Sequence, residues 1–387
     1  MKIAIIVGTR PEIIRLSRVI SKLEHSFAFD LTLIHTGQNY DYELSEIFFQ
    51  DLGIKLKNPI VYLNAAEQGK NNVGKTIGKI IEKSYNILQE IQPDAVLILG
   101  DTNSCLSAIS AKRLKIPIFH MEAGNRCFDE RVPEEINRKI VDHISDVNMT
   151  YSDISREYLV NAGLHPDRII KVGSPMFEVI NHYWVKNSHI VHRFADICNS
   201  IEKKTNVKPE NKNFFLVSCH REENIDTDNL TKFFNMLEEI TKTYEIPAFV
   251  STHPRLRNKL DQLEDPIKNV HFLNPMPFTE YLYLQSIAKV VLSDSGTISE
   301  EASIIGFSAI NIRETHERPE ANEEMPIIMT GMNIDRINEA ISLFDFDASS
   351  SQYGRVKDYH NPDVSEKVAR ILLSYTDYVN KNVWRHV

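Results

Sequence analysis

Cysteine is scarce. There are four in 387 residues (Cys105, Cys127, Cys198 and Cys219), far apart and with no CxxC pair. That excludes a disulfide framework or zinc ribbon and leaves no Cys/His set with metal-ligand spacing, so no metal is expected. No apolar run approaches the length of a membrane span. The apolar start, Met1–Gly8, is too short for a signal h-region and lacks a cleavage site, so a cytoplasmic setting without membrane insertion is expected. Basic residues are outnumbered, 44 Lys plus Arg against 53 Asp plus Glu, for a net charge of −9. This disfavours nucleic acid or an anionic membrane as partner but leaves room for a local site for a small anion. With 14 Gly and 16 Pro there is no sign of collagen, disorder or a repeat array. The GxGxxG fingerprint is absent, so no dinucleotide cofactor is expected.

What is present is a rhythm of short apolar segments and helical stretches. Lys2–Val7 reads as a strand, Pro11–Leu23 as a helix and Leu31–Thr36 as a second strand. Asp94–Gly100 and Pro117–Met121 are further strands with a helix between them. These segments are continuously apolar rather than alternating, as burial on both faces of a parallel sheet requires. Trp184–Lys212 is more polar and reads as a helix and a connection. The rhythm then restarts with strands at Phe214–Cys219, Ala248–Thr252, Val270–Leu273, Val290–Ser293 and Ala309–Ile312. A chain of this length exceeds one usual core. The expectation is an α/β protein with two Rossmann-like domains facing a central cleft, 1–180 and 181–363. A last helix, within 364–387 and centred on Ser365–Val379, crosses back to the first domain. Ligands of such sheets bind at the carboxyl ends of strands.

Several motifs sit at those ends. Gly8-Thr9-Arg10-Pro11-Glu12 follows the first strand. Glycine permits a tight turn, proline suits a helix's first turn, and backbone amides with Arg10 make an anion site, or else a structural turn with a solvated arginine. Asp101, in Gly100-Asp101-Thr102-Asn103, is either a catalytic base or the cap of the next helix. Glu122, in the His120–Arg126 segment, ends the adjacent strand. Two carboxylates at adjacent ends can share a site and be split into an acid and a base, or be solvated loop acids. In Pro133–Arg138, Glu134 and Arg138 lie four apart on a helix face. They form a surface ion pair, or Glu134 points into the cleft. His220, after Phe214–Cys219, can bond a phosphate or ribose, or be a satisfied strand-end histidine. Ser293–Ala302 runs from a strand through hydroxyl residues and a glycine into a helix. There Ser295, Gly296 and Thr297 offer a diphosphate cradle, Glu301 can reach ribose hydroxyls, and Arg318 can add positive charge.

Taken in order, GTRPE, GDTNS, HMEAG, PEEINR, CHREEN, SDSG..SEEA and ERPEA span residues 8–321. The set resembles the non-hydrolysing UDP-N-acetylglucosamine 2-epimerase family. The resemblance implies two Rossmann-like domains of the glycosyltransferase-B type closing over UDP, with a UDP-activated N-acetylamino sugar as partner. It also implies a homodimer. Asp101, Glu122 and Glu134 match the family's catalytic acids. His220 stands with them, and with Arg10, Ser295, Gly296 and Arg318 it would stabilise a departing diphosphate. HTGQNYDYEL and HMEAGNRCFDERVPEEINRKIVDHISD are closer to a capsule and O-antigen branch that converts UDP-2-acetamido-2,6-dideoxy-L-talose to UDP-N-acetyl-L-fucosamine. A related branch handles the L-rhamno to L-quinovo pair. Two departures from the glucosamine form are the loop Arg126–Val132, between HMEAG and PEE, and CHREEN in place of HRRE. The alternatives are a UDP-N-acetylglucosamine/UDP-N-acetylmannosamine 2-epimerase and a UDP-sugar glycosyltransferase of the same fold. A hydrolysing epimerase often carries a kinase domain, and this chain shows none.

Overall fold

The computed structural model describes residues 1–37, 52–66, 72–185, 190–219, 227–252, 267–313, 317–346 and 355–385. The chain divides into two compact units. One comprises Met1–Val179 with Lys357–Val387, and the other Ile180–Val356. The expected boundaries at 181 and 364 thus fall at Ile180 and Lys357.

The first unit contains a parallel sheet of seven strands: β1 (Lys2–Val7), β2 (Asp30–His35), β3 (Val61–Tyr62), β4 (Ala95–Leu99), β5 (Ile118–Met121), β6 (Val147–Thr150) and β7 (Ile169–Lys171). Their order is β3-β2-β1-β4-β5-β6-β7. β1 and β4 are buried along almost their whole length because helices cover the sheet. Ala4, Ile6, Val96, Ile98 and Ile118 share a core with Leu88, Ala108, Ala111 and Val141. The helix Val364–Asn382 packs beside the helix Arg10–His25. Its start is held by Glu178, which accepts from the Ser365 amide at 2.8 Å.

The second unit contains a parallel sheet of six strands: β8 (Phe215–Cys219), β9 (Ala248–Thr252), β10 (Val270–Leu273), β11 (Val290–Ser293), β12 (Ala309–Asn311) and β13 (Ile328–Met329). Their order is β10-β9-β8-β11-β12-β13. Alternate residues of β8 serve opposite faces. Phe215, Val217 and Cys219 join a core with Phe233, Leu237 and Ile341. Leu216, with Phe214 just before the strand, joins one with Leu284, Ile298 and Phe307.

In each sheet the order reverses once, between β1 and β4 and between β8 and β11. Open parallel sheets bind ligands at that reversal, outside the carboxyl ends of the strands. Gly8–Glu12 and Gly100–Asn103 follow β1 and β4, and Ser293–Gly296 ends and follows β11.

Candidate active site

At the end of β1, Thr9 caps the helix Arg10–His25. Pro11 sits in its first turn, and Glu12 completes a capping box. The Glu12 carboxylate accepts from the amides of Gly8 and of Thr9, the latter at 3.0 Å, and from the Thr102 hydroxyl. Glu12 therefore ties the helix start to the loop that carries Asp101. Only glycine fits at position 8, since a Cβ there would lie 1.8 Å from the Ser104 hydroxyl oxygen. Arg10 opens the helix and is half-buried.

Burial pushes the Glu12 carboxyl up to about 7, against the lowering effect of its three donors and with a small upward contribution from Asp101. A carboxyl whose folded value lies above its unfolded 4.5 binds more protons when folded between the two values. Its contribution to stability is full below 4.5 and is lost as pH rises through 7. Wild-type unfolding free energy is expected to fall by about 3 kcal/mol relative to Glu12→Gln between those limits. Parallel pH profiles for the two proteins in urea titrations would contradict this.

Asp101 follows β4. Its carboxylate receives Arg138 Nε at 2.6 Å, and its carbonyl receives Asn137 Nδ2 at 2.9 Å. Arg138 is buried in the helix Pro133–Ile144 and also donates to Glu135 Oε2 at 3.0 Å. The surface pair read from the sequence is thus replaced: Arg138 is 2% exposed and turns to Asp101 and Glu135, not to Glu134. Glu134 is half-buried, and among the described residues its side chain has no hydrogen bond or ion pair.

Glu122 follows β5, whose neighbour is β4. Its φ is +67°, in the left-handed region that a non-glycine residue rarely adopts. It is buried, pairs with Arg15 of the helix Arg10–His25, and lies 3.4 Å from the Tyr151 hydroxyl. Its Oε2 would be 3.9 Å from a Cβ built on Gly100. The structure therefore brings Glu122 to the end of β4 that also carries Asp101. Of the cations that hold these two acids, Arg15 was not found from the sequence, and Arg138 was read there beside Glu134 rather than Asp101. Their signal was positional, since each lies in the first turns of a helix that begins at a motif.

In the second unit, Ser218 and Ser293 hydroxyls meet at 2.7 Å across β8 and β11. The Ser295 amide donates to Ser293 Oγ at 3.0 Å, and the Ser295 and Thr297 hydroxyls lie 3.0 Å apart. Thr297 caps the helix Ile298–Ile305. Glu301 accepts from Thr297 Oγ1 at 2.7 Å and from Gln285 Nε2 at 2.7 Å. Arg318 is buried and donates to Glu300 Oε2 at 2.9 Å, while Arg313 meets Glu317 at 3.0 Å. Ser295, Gly296, Thr297 and Glu301 thus share one helix start, and Arg318 reaches that helix through Glu300. His220 lies outside the described residues.

Among the described residues, no group of three or more His, Cys, Asp or Glu side chains is placed to hold a metal ion. Nor is any helix among them long and apolar enough to cross a membrane.

The UDP-N-acetylglucosamine 2-epimerase family model matches residues 21–373. A solved UDP-N-acetylglucosamine 2-epimerase from Rickettsia bellii is 45% identical, with a TM-score of 0.85 and 100% of both chains covered. The Methanocaldococcus jannaschii UDP-GlcNAc 2-epimerase, solved in complex with UDP-GlcNAc and UDP, is 32% identical. Its TM-score is 0.83, over 96% of this chain and 99% of that one. A UDP-2,3-diacetamido-2,3-dideoxy-D-glucuronate 2-epimerase from Pseudomonas aeruginosa is 29% identical over 82% of this chain and 84% of its own length. With two parallel-sheet α/β domains of the glycosyltransferase-B kind and carboxylates gathered at a strand-order reversal, the chain is an enzyme of the UDP-sugar 2-epimerase class. It belongs to the UDP-N-acetylglucosamine 2-epimerase family.

Proposed function

We propose that this enzyme inverts C2 of a UDP-activated 2-acetamido-2,6-dideoxy-L-hexose, converting the L-talo sugar nucleotide to UDP-N-acetyl-L-fucosamine. C2 of an N-acetylamino sugar nucleotide has no carbonyl beside it in the ring, so direct proton removal would leave an unstabilised carbanion. Elimination avoids this. A base takes H2, the C1–O bond breaks, UDP departs with the electron pair, and a 2-acetamidoglycal remains. UDP then adds back at C1 while C2 is protonated on the opposite face. Two faces need two acid/base groups in different places. Asp101, Glu122 and Glu134 are the groups we assign to this work. Arg10, His220, Ser295, Gly296, Thr297 and Arg318 would hold the diphosphate, with Glu301 on the ribose. The chemistry needs neither metal nor nicotinamide. Resemblance to the capsule and O-antigen branch further supports a homodimer working in the cytoplasm on a surface-polysaccharide route.

The observation that carries the substrate reading is the loop between Glu122 and Glu134. Arg126 is buried on Asp142 at 2.6 Å, and Val132 is 4% exposed, so Val132 is packing. Phe128 is 73% exposed and meets Tyr158 edge-on with ring centroids 5.4 Å apart. An apolar ring offered from this loop suits a C6 methyl. A C6 hydroxyl left without a partner costs about 1–3 kcal/mol, or about 5- to 160-fold in rate.

The relatives' names favour a second reading, a UDP-N-acetylglucosamine/UDP-N-acetylmannosamine 2-epimerase, whereas the diacetamido-glucuronate enzyme is a family member named for a different sugar. Incubation with each nucleotide at equal concentration, followed by proton NMR, separates the readings. The L-talo substrate is expected to turn over faster, and Phe128→Ser should narrow the gap. Faster epimerisation of UDP-N-acetylglucosamine would assign the second reading.

A further inference from the structure

His120 is not among the groups assigned to the reaction, yet it adjoins two of them, lying two residues before Glu122 and meeting the carbonyl of the residue before Asp101. It lies on β5 opposite Ile98 of β4 and is 1% exposed. Its Nε2 is 2.9 Å from the Gly100 carbonyl oxygen. A carbonyl only accepts, so Nε2 carries a proton. Its Nδ1 is 3.0 Å from Asp142 Oδ1, an ion-pair contact rather than an aligned hydrogen bond. Asp142 is fully buried and also receives Arg126 Nη1 at 2.6 Å and the Gly124 amide at 3.3 Å. A neutral imidazole protonated on Nε2 would turn its Nδ1 lone pair toward that buried carboxylate. An imidazolium presents a proton to each neighbour instead. Burial opposes the charge, but the contacts with Asp142 and the Gly100 carbonyl, with the nearby Glu122, together raise His120 above its ordinary 6.5. The charged groups facing it are Asp142 on the helix Pro133–Ile144, with Arg126 behind it, and Glu122 at the end of its own strand.

The bridge matters because of where Gly100 is. Its amide donates to the Met121 carbonyl at 3.1 Å, and its φ is +77°. Both polar atoms of Gly100 are therefore pinned to β5. The next residue is Asp101, and the residue after Met121 is Glu122. We propose that His120 is a positioning residue of the epimerase reaction, an imidazolium shared by the Gly100 carbonyl and Asp142 that fixes the spacing of Asp101 and Glu122. This rests on the assignment of those two carboxylates as the reacting groups.

Two measurements test it. In full-length protein with ring-15N histidine, both ring nitrogens of His120 should show protonated shifts at pH 7, the signals being assigned by their loss in His120→Gln. A single neutral tautomer at that pH would overturn the proposal, whatever the variants do. In kinetics, glutamine can place an amide nitrogen near the position of Nε2 and keep the Gly100 bond, whereas asparagine reaches only as far as Nδ1. His120→Asn is expected to lower kcat at least about tenfold with KM within about threefold, and His120→Gln to stay within about threefold of wild type in both. Equal loss of kcat in the two variants, with KM unchanged, would show that the Gly100 bridge does not position the acids. If the wild type epimerises no UDP-sugar, the reaction reading fails, and the ring shifts still report on the bridge.

Discussion

Asp101→Asn, Glu122→Gln and Glu134→Gln are each expected to lower kcat by about 10²- to 10⁴-fold, the usual worth of a positioned acid or base, while calorimetric UDP affinity stays near wild type. The three substitutions differ in what else they disturb. Glu134 is half-buried and has no side-chain partner among the described residues. Its amide should therefore leave thermal stability unchanged, and any loss of turnover reports on chemistry. Glu122→Gln removes the charge that meets Arg15, and Asp101→Asn weakens one of the two carboxylates on Arg138. Those two proteins should be less stable as well as slower, so their kinetics are to be read at a temperature where each remains folded. Full turnover in Glu134→Gln would remove it from the reaction.

The largest effect on stability is expected from Arg138→Ala. Arg138 is 2% exposed and holds Asp101 at 2.6 Å and Glu135 at 3.0 Å, with Glu135 fully buried. Removing the guanidinium strands a buried carboxylate, and breaking one side of such a pair costs about 3–5 kcal/mol. Adding Glu135→Gln should recover part of the loss, because the second change removes the stranded charge. Urea denaturation of the single and double variants measures this. A loss below about 1 kcal/mol for Arg138→Ala, the range of an exposed pair, would mean that the buried network does not hold the helix Pro133–Ile144 in place.

Most of the strands that the sequence showed are buried on both faces, Val270–Leu273 being a partly buried edge strand. Lys2–Val7, Ala248–Thr252, Val270–Leu273 and Val290–Ser293 have the expected limits, because a mainly apolar segment between polar loops leaves little choice of boundary. β3 and β13 were invisible. Each is two residues long at a sheet edge, with partly exposed side chains. β6 was hidden by Asn148, a polar residue that is nonetheless buried and donates to the Asp142 carbonyl at 2.9 Å. β7, Ile169–Lys171, is short and lies at the other edge.

The motif positions put Arg10, Asp101, Glu122 and Ser295 after strands, and the structure has them there. The partners that orient them were not legible, because pairing depends on which side chains the fold brings together from distant segments. Arg15 meets Glu122 from another element, and Glu12, in the first turn of the helix Arg10–His25, meets Thr102 of the loop after β4. Glu134 and Arg138 show the converse. Their helical spacing suggested a mutual pair, but burial of the arginine and the competing carboxylates of Asp101 and Glu135 decided otherwise.

The central claim is that C2 exchanges its proton with a protein group while UDP leaves and returns. Turnover of UDP-2-acetamido-2,6-dideoxy-L-talose in deuterium oxide, followed by proton NMR and mass spectrometry, tests it most directly. The account predicts one deuterium at C2 of the L-fuco product and none at C3 or C4. Product formed with its original C2 proton retained would contradict elimination with protonation from an exchangeable carboxyl group, and so would inversion at C4 in place of C2.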